Sequence, residues 1–152
     1  PDAAHLKAVR KAMYNVSNSR TGTAYRSRVI ADTFRMAGKT GTSQVFTITE
    51  AERKKGIISN EDREWEHRDH ALFVCFAPFY DPRIAVSVVV EHGGGGSKTA
   101  APIARDILLQ ALYQGAPPIT AYPVKDREDI SQQQKLFEDL LPNLTSEENV
   151  ET

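Results

Sequence analysis

The sequence predicts an α+β fold, an antiparallel sheet flanked by helices, and three observations lead there. Residues 70–78 (HALFVCFAP) and 84–92 (IAVSVVVEH) are two consecutive segments rich in Val, Phe and Ile, the composition of a pleated, half-buried surface. Only Phe79-Tyr80-Asp81-Pro82-Arg83 lies between them. So short a connection, with an Asp-Pro turn signal, favours an antiparallel hairpin, because a parallel crossover needs a dozen or more residues. Segments of helical spacing stand before and after the strands instead of alternating with them, which argues against a doubly wound parallel sheet.

Each element has its own signature. Over residues 5–16, Leu6, Val9, Ala12, Met13 and Val16 recur at spacings of three and four, an amphipathic helix that the Asn-Ser-Arg-Thr-Gly stretch up to Gly22 ends. Residues 25–28 read as irregular. Residues 32–46 read as extended, interrupted by Ala37-Gly38 and by Gly41. Residues 49–68 are charged and lack strong periodicity; they are expected to form an exposed excursion with a short helix around 50–55. The hairpin follows, and residues 93–96, all glycine, break its pattern. Helical spacing returns over residues 99–113 through Ile103, Ile107, Leu108, Ala111 and Leu112. Pro102 falls in the first turn, where a missing N–H does little harm. After Gly115 the composition changes: Ala116-Pro117-Pro118 opens a polar, increasingly acidic stretch, expected to be linker and tail over 116–152, partly disordered, with one short helix at 132–141. The domain is therefore expected to occupy residues 1–115. A sheet of this size leaves an open edge and an uncovered face, which a partner segment upstream in a parent protein should cover.

Composition narrows the function. At 152 residues with 40% hydrophobic content the chain is the size of one ordinary domain. A formal net charge of -1 argues against general nucleic-acid binding. No run of apolar residues is long enough to span a bilayer. The chain opens on Pro1-Asp2-Ala3, which suggests a processed or excised piece. Cys75 cannot form an internal disulfide, being the only cysteine, and in an apolar run it is expected to be buried as a small hydrophobe.

The strongest local signal is Ala37-Gly38-Lys39-Thr40-Gly41-Thr42-Ser43-Gln44-Val45. On a strand alternate side chains share a face, so Thr40 and Thr42 project together. Two hydroxyls on one face can bind a carboxylate, and a nearby Lys39 ammonium adds a charge-assisted contribution of about 1.5–3 kcal/mol. Gly41 removes a side chain where another backbone must approach. An edge strand also offers free N–H groups, one of which can stabilise a developing oxyanion. Taken alone, the triplet also fits a glycine-containing bend in an ordinary strand with a solvated lysine.

The flanks extend the pattern. Met13-Tyr14-Asn15-Val16, Gly22-Thr23-Ala24-Tyr25, the Ala37-to-Phe46 run, Arg68-Asp69-His70-Ala71-Leu72-Phe73, Phe76-Ala77-Pro78 and Val88-Val89-Val90-Glu91-His92-Gly93-Gly94 together resemble the class B penicillin-binding proteins over residues 4–114, in the manner of the elongation-type peptidoglycan D,D-transpeptidases. Lys-Thr-Gly is a signature of that superfamily beside Ser-x-x-Lys and Ser-x-Asn. The resemblance implies part of a β-lactamase/transpeptidase-like fold. In it Thr40 and Thr42 would bind the terminal carboxylate of a D-Ala-D-Ala stem peptide or of a β-lactam, with Gly41 between them. Lys39 would join the proton network beside the active-site serines, and the Thr42 N–H would supply one oxyanion donor. Gly22-Thr23-Ala24 matches a turn whose role would be structural. The resemblance further implies elongation-complex membrane proteins as partners of the parent, a place on the periplasmic face of the inner membrane behind an N-terminal anchor, and neither metal nor cofactor.

The departures carry equal weight. No serine is followed at the third position by lysine: Ser43 leads to Phe46, Ser59 to Asp62 and Ser131 to Gln134. No Ser-x-Asn occurs. Without an activated nucleophile and its base, covalent catalysis is not available, so the chain alone is expected to be inert. Two further patterns fall short of a site. Residues 93–99 resemble a phosphate-binding loop but place Ser97, not glycine, before Lys98. His67 and His70, with Glu66, resemble a metal cluster, yet that spacing at a strand mouth does not aim both rings at one point. Three functions stay open on sequence: a piece of a transpeptidase, of a serine β-lactamase or carboxypeptidase, or of a non-catalytic penicillin-binding sensor.

Overall fold

A computed structural model describes residues 2–45, 50, 54, 56 and 59–147, with side chains as far as residue 140. The first helix, α1 (Ala3–Asn18), begins two residues before the expected start at residue 5 because Asp2 caps it, its Oδ1 accepting the Ala4 N–H at 2.8 Å. The turn after it is held against the helix by Ala24 N–H donating to Val16 O at 3.0 Å. Gly22 is needed in that turn for space, since a Cβ would overlap the Val16 and Asn15 carbonyl oxygens. Residues expected to be irregular form one 3-10 turn, Tyr25–Ser27.

The extended stretch is shorter than its sequence suggests. Asp32–Phe34 winds into a 3-10 turn, closed by Arg35 Nε donating to Asp32 Oδ1 at 2.8 Å, so the strand β1 is confined to Ala37–Ser43. Residues 46–49 lie outside the described residues. So does most of the expected helix around 50–55, of which Glu50 and Lys54 are helical and form an ion pair at 3.3 Å.

The hairpin is as expected. Strands β2 (His70–Ala77) and β3 (Ile84–Val90) pair antiparallel, and β1 joins the other side of β2, giving the order β1-β2-β3. The register sets the faces: Thr40 lies opposite Phe73 and Phe73 opposite Val88, while Lys39 lies opposite Val74 and Val74 opposite Ser87. Ala71, Phe73, Cys75 and Ala77 are buried with Val90, Val88, Val86 and Ile84 beside them on the same face. The helix α2 (Ala100–Tyr113) covers that face with Ala100, Ala101, Ala104, Leu108 and Leu109. Each fully buried large side chain among these, such as Phe73 or Leu108, contributes about 1.5–3 kcal/mol. Small residues on α2 let the helix approach the sheet closely.

The opposite face is covered only at one end. There α1 crosses it, with the Arg10 guanidinium 5.8 Å from the Phe76 ring centroid and the Tyr14 and Phe79 rings 4.6 Å apart. Beyond it Val74 and Val89 are 45% and 59% exposed, the uncovered surface that three strands leave behind.

After residue 115 the chain departs from its expected linker character. Ile30 N–H donates to Ala121 O at 2.8 Å, and Ala121, Tyr122 and Ile130 join the core. The helix expected at 132–141 spans Arg127–Glu147 (α3). What holds this segment is Arg105, only 2% exposed. Its Nη1 donates to Asp126 at 2.5 Å, its Nε to Asp106 at 2.7 Å, and its guanidinium lies 5.1 Å from the Tyr122 ring centroid. A buried guanidinium requires such partners, and a polar tail supplies one of them without looking apolar. Residues 148–152 lie outside the described residues.

Candidate active site

The expected site residues all lie on β1, which among the described residues pairs with β2 alone and forms an edge of the sheet. In an antiparallel strand the N–H and C=O of one residue point to the same side, and successive residues point to opposite sides. Lys39 Nζ donates to Thr40 O at 2.5 Å, so the Thr40 carbonyl is directed to the open edge. By alternation the backbone groups of Thr42 share that edge. The two hydroxyl side chains also share a face, with Phe73 and Ala71 opposite them in the register. Lys39 springs from the other face and reaches the edge by folding its flexible stem around it. Hydroxyls, an ammonium and an edge-facing backbone N–H thus gather along about three residues of edge, a set of donors suited to an anionic group.

The structure adds a residue to this edge. Thr23 Oγ1 stands 3.0 Å from Thr40 Oγ1, so the Gly22-Thr23-Ala24 turn, expected to be structural, orients a hydroxyl of the site as well. The only sequence signal for it was position: a threonine in a glycine turn between a helix and the strand it packs on. Gly38 completes the strand from behind, since a Cβ there would overlap the Phe73 ring tip and stand 2.9 Å from Val74 O.

The other patterns fall elsewhere. Lys98 of the glycine loop is paired with Glu61 and Thr99 Oγ1 donates to Gly93 O at 2.7 Å, so the side chains that would hold a phosphate are engaged within the chain. His70 sits at the far end of β2, opposite Ser43. Its Nδ1 accepts the His92 N–H at 2.9 Å, and the Trp65 ring centroid lies 4.2 Å from that of His92. This stack fastens the end of the excursion to the end of the hairpin. Nearby Arg63 and Asp69, both largely buried, are 3.5 Å apart.

Edge strand, hairpin and closing helix give the fold of a penicillin-binding transpeptidase domain, with Lys39-Thr40-Gly41 on the open side. The family model of the penicillin binding protein transpeptidase domain matches residues 2–109, and the chain belongs to that family. Within it the similarity is to penicillin-binding protein 2. Peptidoglycan D,D-transpeptidase MrdA of Haemophilus influenzae is 37% identical over 135 residues, 88% of this chain and 20% of that protein. Among solved structures, PBP2 of Helicobacter pylori in its complex with MreC aligns with a TM-score of 0.55 at 35% identity, covering 73% of this chain and 17% of that one. PBP2 of Pseudomonas aeruginosa in complex with WCK 5153 aligns with a TM-score of 0.54 at 36% identity, covering 73% and 20%. The chain spans about one fifth of the length of the relatives it matches.

Proposed function

We propose that this chain is the substrate-strand portion of a peptidoglycan D,D-transpeptidase whose nucleophile lies in the rest of the parent protein. The observation that carries this reading is the open edge of β1, where Thr40 and Thr42 share one face and Lys39 bonds the Thr40 carbonyl. In the parent, the Thr40 and Thr42 hydroxyls bind the terminal carboxylate of a D-Ala-D-Ala stem peptide, or of a β-lactam that imitates it. Gly41 keeps the approach clear for the peptide backbone. As the upstream serine attacks, negative charge develops on the scissile carbonyl oxygen, and the Thr42 N–H meets it as one donor of an oxyanion hole. A donor of this kind contributes about 2.7–4 kcal/mol to the transition state. The Lys39 ammonium lowers the cost of gathering an anion at the edge and joins the proton network around the serine. An amine of a neighbouring stem peptide then takes the acyl group.

Further parts of the reading rest on the relatives. The Helicobacter pylori PBP2 was solved with MreC, and an elongation-complex membrane protein of that kind is the partner proposed for the parent. The parent is placed at the periplasmic face of the inner membrane. No helix among the described residues is long and apolar enough to cross a membrane; an N-terminal anchor of the parent is part of this proposal.

Two measurements test this together. Exposed to a fluorescent penicillin, the parent should retain the label through denaturation, and this chain alone should not, since it has no Ser-x-x-Lys. A labelled band from the isolated chain would overturn its inertness. Rapid β-lactam hydrolysis by the parent would assign it to β-lactamases instead, with water as the acyl acceptor.

A further inference from the structure

The residues that follow the glycine loop at 93–96, Lys98 and Thr99, are engaged within the chain, and one member of the loop touches the site from behind. Gly96 is buried, whereas its neighbour Gly95 is exposed. A Cβ built on Gly96 would overlap Leu72 O and Gly41 O and stand 3.1 Å from Gly41 N; one built on Gly95 would meet nothing within 4 Å. The atoms Gly96 abuts are all backbone, and they belong to the one residue pair, Gly41 and Leu72, that lies between the two site threonines. Backbone cannot swing aside as a flexible side chain can. The loop is also braced: Thr99 Oγ1 donates to Gly93 O at 2.7 Å, Gly94 N–H to Asp69 O at 2.8 Å, and Ala101 N–H to Gly96 O at 2.8 Å. Behind it stands α2, packed on the sheet.

We propose that Gly96 is a positioning residue for the acyl-transfer site: its bare Cα seats the Gly41–Thr42 peptide plane against α2 and so aims the Thr42 N–H at the reacting carbonyl. The link is covalent geometry. The Gly41 carbonyl and the Thr42 N–H are two ends of one planar unit, so a side chain at 96 that pushes the Gly41 oxygen also turns the Thr42 hydrogen. A shift of that donor by about 1 Å is enough to cost about 10²-fold in rate. Gly96 acts through space and not through backbone conformation, because among the four glycines of this loop only Gly94 has a positive φ, at 78°. This inference rests on the transpeptidase reading and extends it to a residue that touches neither substrate nor nucleophile.

The test compares Gly96→Ala with Gly95→Ala in the full-length parent, following acylation by a fluorescent penicillin at several concentrations and thermal unfolding in parallel. Gly95→Ala should behave as wild type. Gly96→Ala should slow the acylation step about 10²-fold beyond any loss accounted for by its unfolded fraction, with the apparent dissociation constant for penicillin changing much less. Thr99→Val loosens the same loop without introducing an overlap. It should slow acylation about fivefold, the effect expected of one neutral hydrogen bond, and it carries the test if Gly96→Ala does not fold. Gly96→Ala acylating at the Gly95→Ala rate sinks the inference, as does Thr99→Val at the wild-type rate. A wild-type parent that takes up no penicillin would instead sink the transpeptidase reading on which it stands.

Discussion

Cys75 shows what a single position inherits from its surroundings. It lies on the covered face of β2 at 4% exposure, and burial alone pushes its thiol up from an ordinary 9.0 to about 12, because the thiolate would have to form among apolar atoms. The folded chain therefore holds a proton that the unfolded chain releases near pH 9. This proton linkage stabilises the fold fully below pH 9 and is lost as pH rises from there to about 12. A thiol reagent such as Ellman's should leave Cys75 unmodified at pH 8 in native protein and react stoichiometrically in denaturant. Fast native labelling would contradict the burial. Sequence identified this residue correctly, since an apolar run of alternating partners predicts a hydrophobic role. It could not identify Thr23, whose contact with Thr40 spans 17 positions.

At the level of elements, α2 and the segment after it depend on one guanidinium. Arg105 bridges Asp106 on its own helix and Asp126 beyond the turn. Burial pushes the Asp126 carboxyl up, but the hydrogen bonds and charges of Arg105 and Lys125 outweigh it and hold the carboxyl below its ordinary 3.8. A depressed carboxylate stabilises the fold at pH values above 3.8, and that contribution is lost as pH falls through the lowered value. Arg105→Ala should cost about 3 kcal/mol, because it removes one partner of a largely buried pair. It should also speed tryptic cleavage at Lys125 and Arg127 in the parent. Unchanged cleavage there would show that the apolar contacts of Tyr122 and Ile130 hold the segment without the bridge. The strands were legible because period-two alternation is a local signal. The docking of residues 117–130 was not, because its anchor is a charged residue inside an otherwise apolar helix stripe, 21 positions from its partner.

The whole chain is a sheet with one covered face, one half-covered face and two edges. Val74 and Val89 stand exposed on the half-covered face, and among the described residues β1 and β3 each lack a neighbour on one side. Unpaired edges and bare apolar surface favour association, and a three-stranded sheet lacking part of its cover holds limited stability of its own. Sedimentation of the isolated chain should show mass rising with concentration, and its thermal unfolding should be broad. A sharp, concentration-independent transition of a monomer would count against this picture. In the parent, other residues are expected to pair these edges and cover this face.

By itself the sequence determined that there would be a hairpin, a helix on either side of it and a Lys-Thr-Gly strand, and that no Ser-x-x-Lys accompanies them. Those properties are written in local periodicity, turn residues and a short ordered motif. Only the tertiary structure decided that Asp32–Phe34 turns before the strand, that Thr23 joins Thr40, that the polar stretch after residue 115 docks through Arg105, and that Gly96 rests on the Gly41 peptide. Apart from that turn, which Arg35 closes locally onto Asp32, each depends on contacts between residues distant in sequence. Such contacts are governed by space and by the satisfaction of buried polar groups, and neither leaves a periodic trace along the chain.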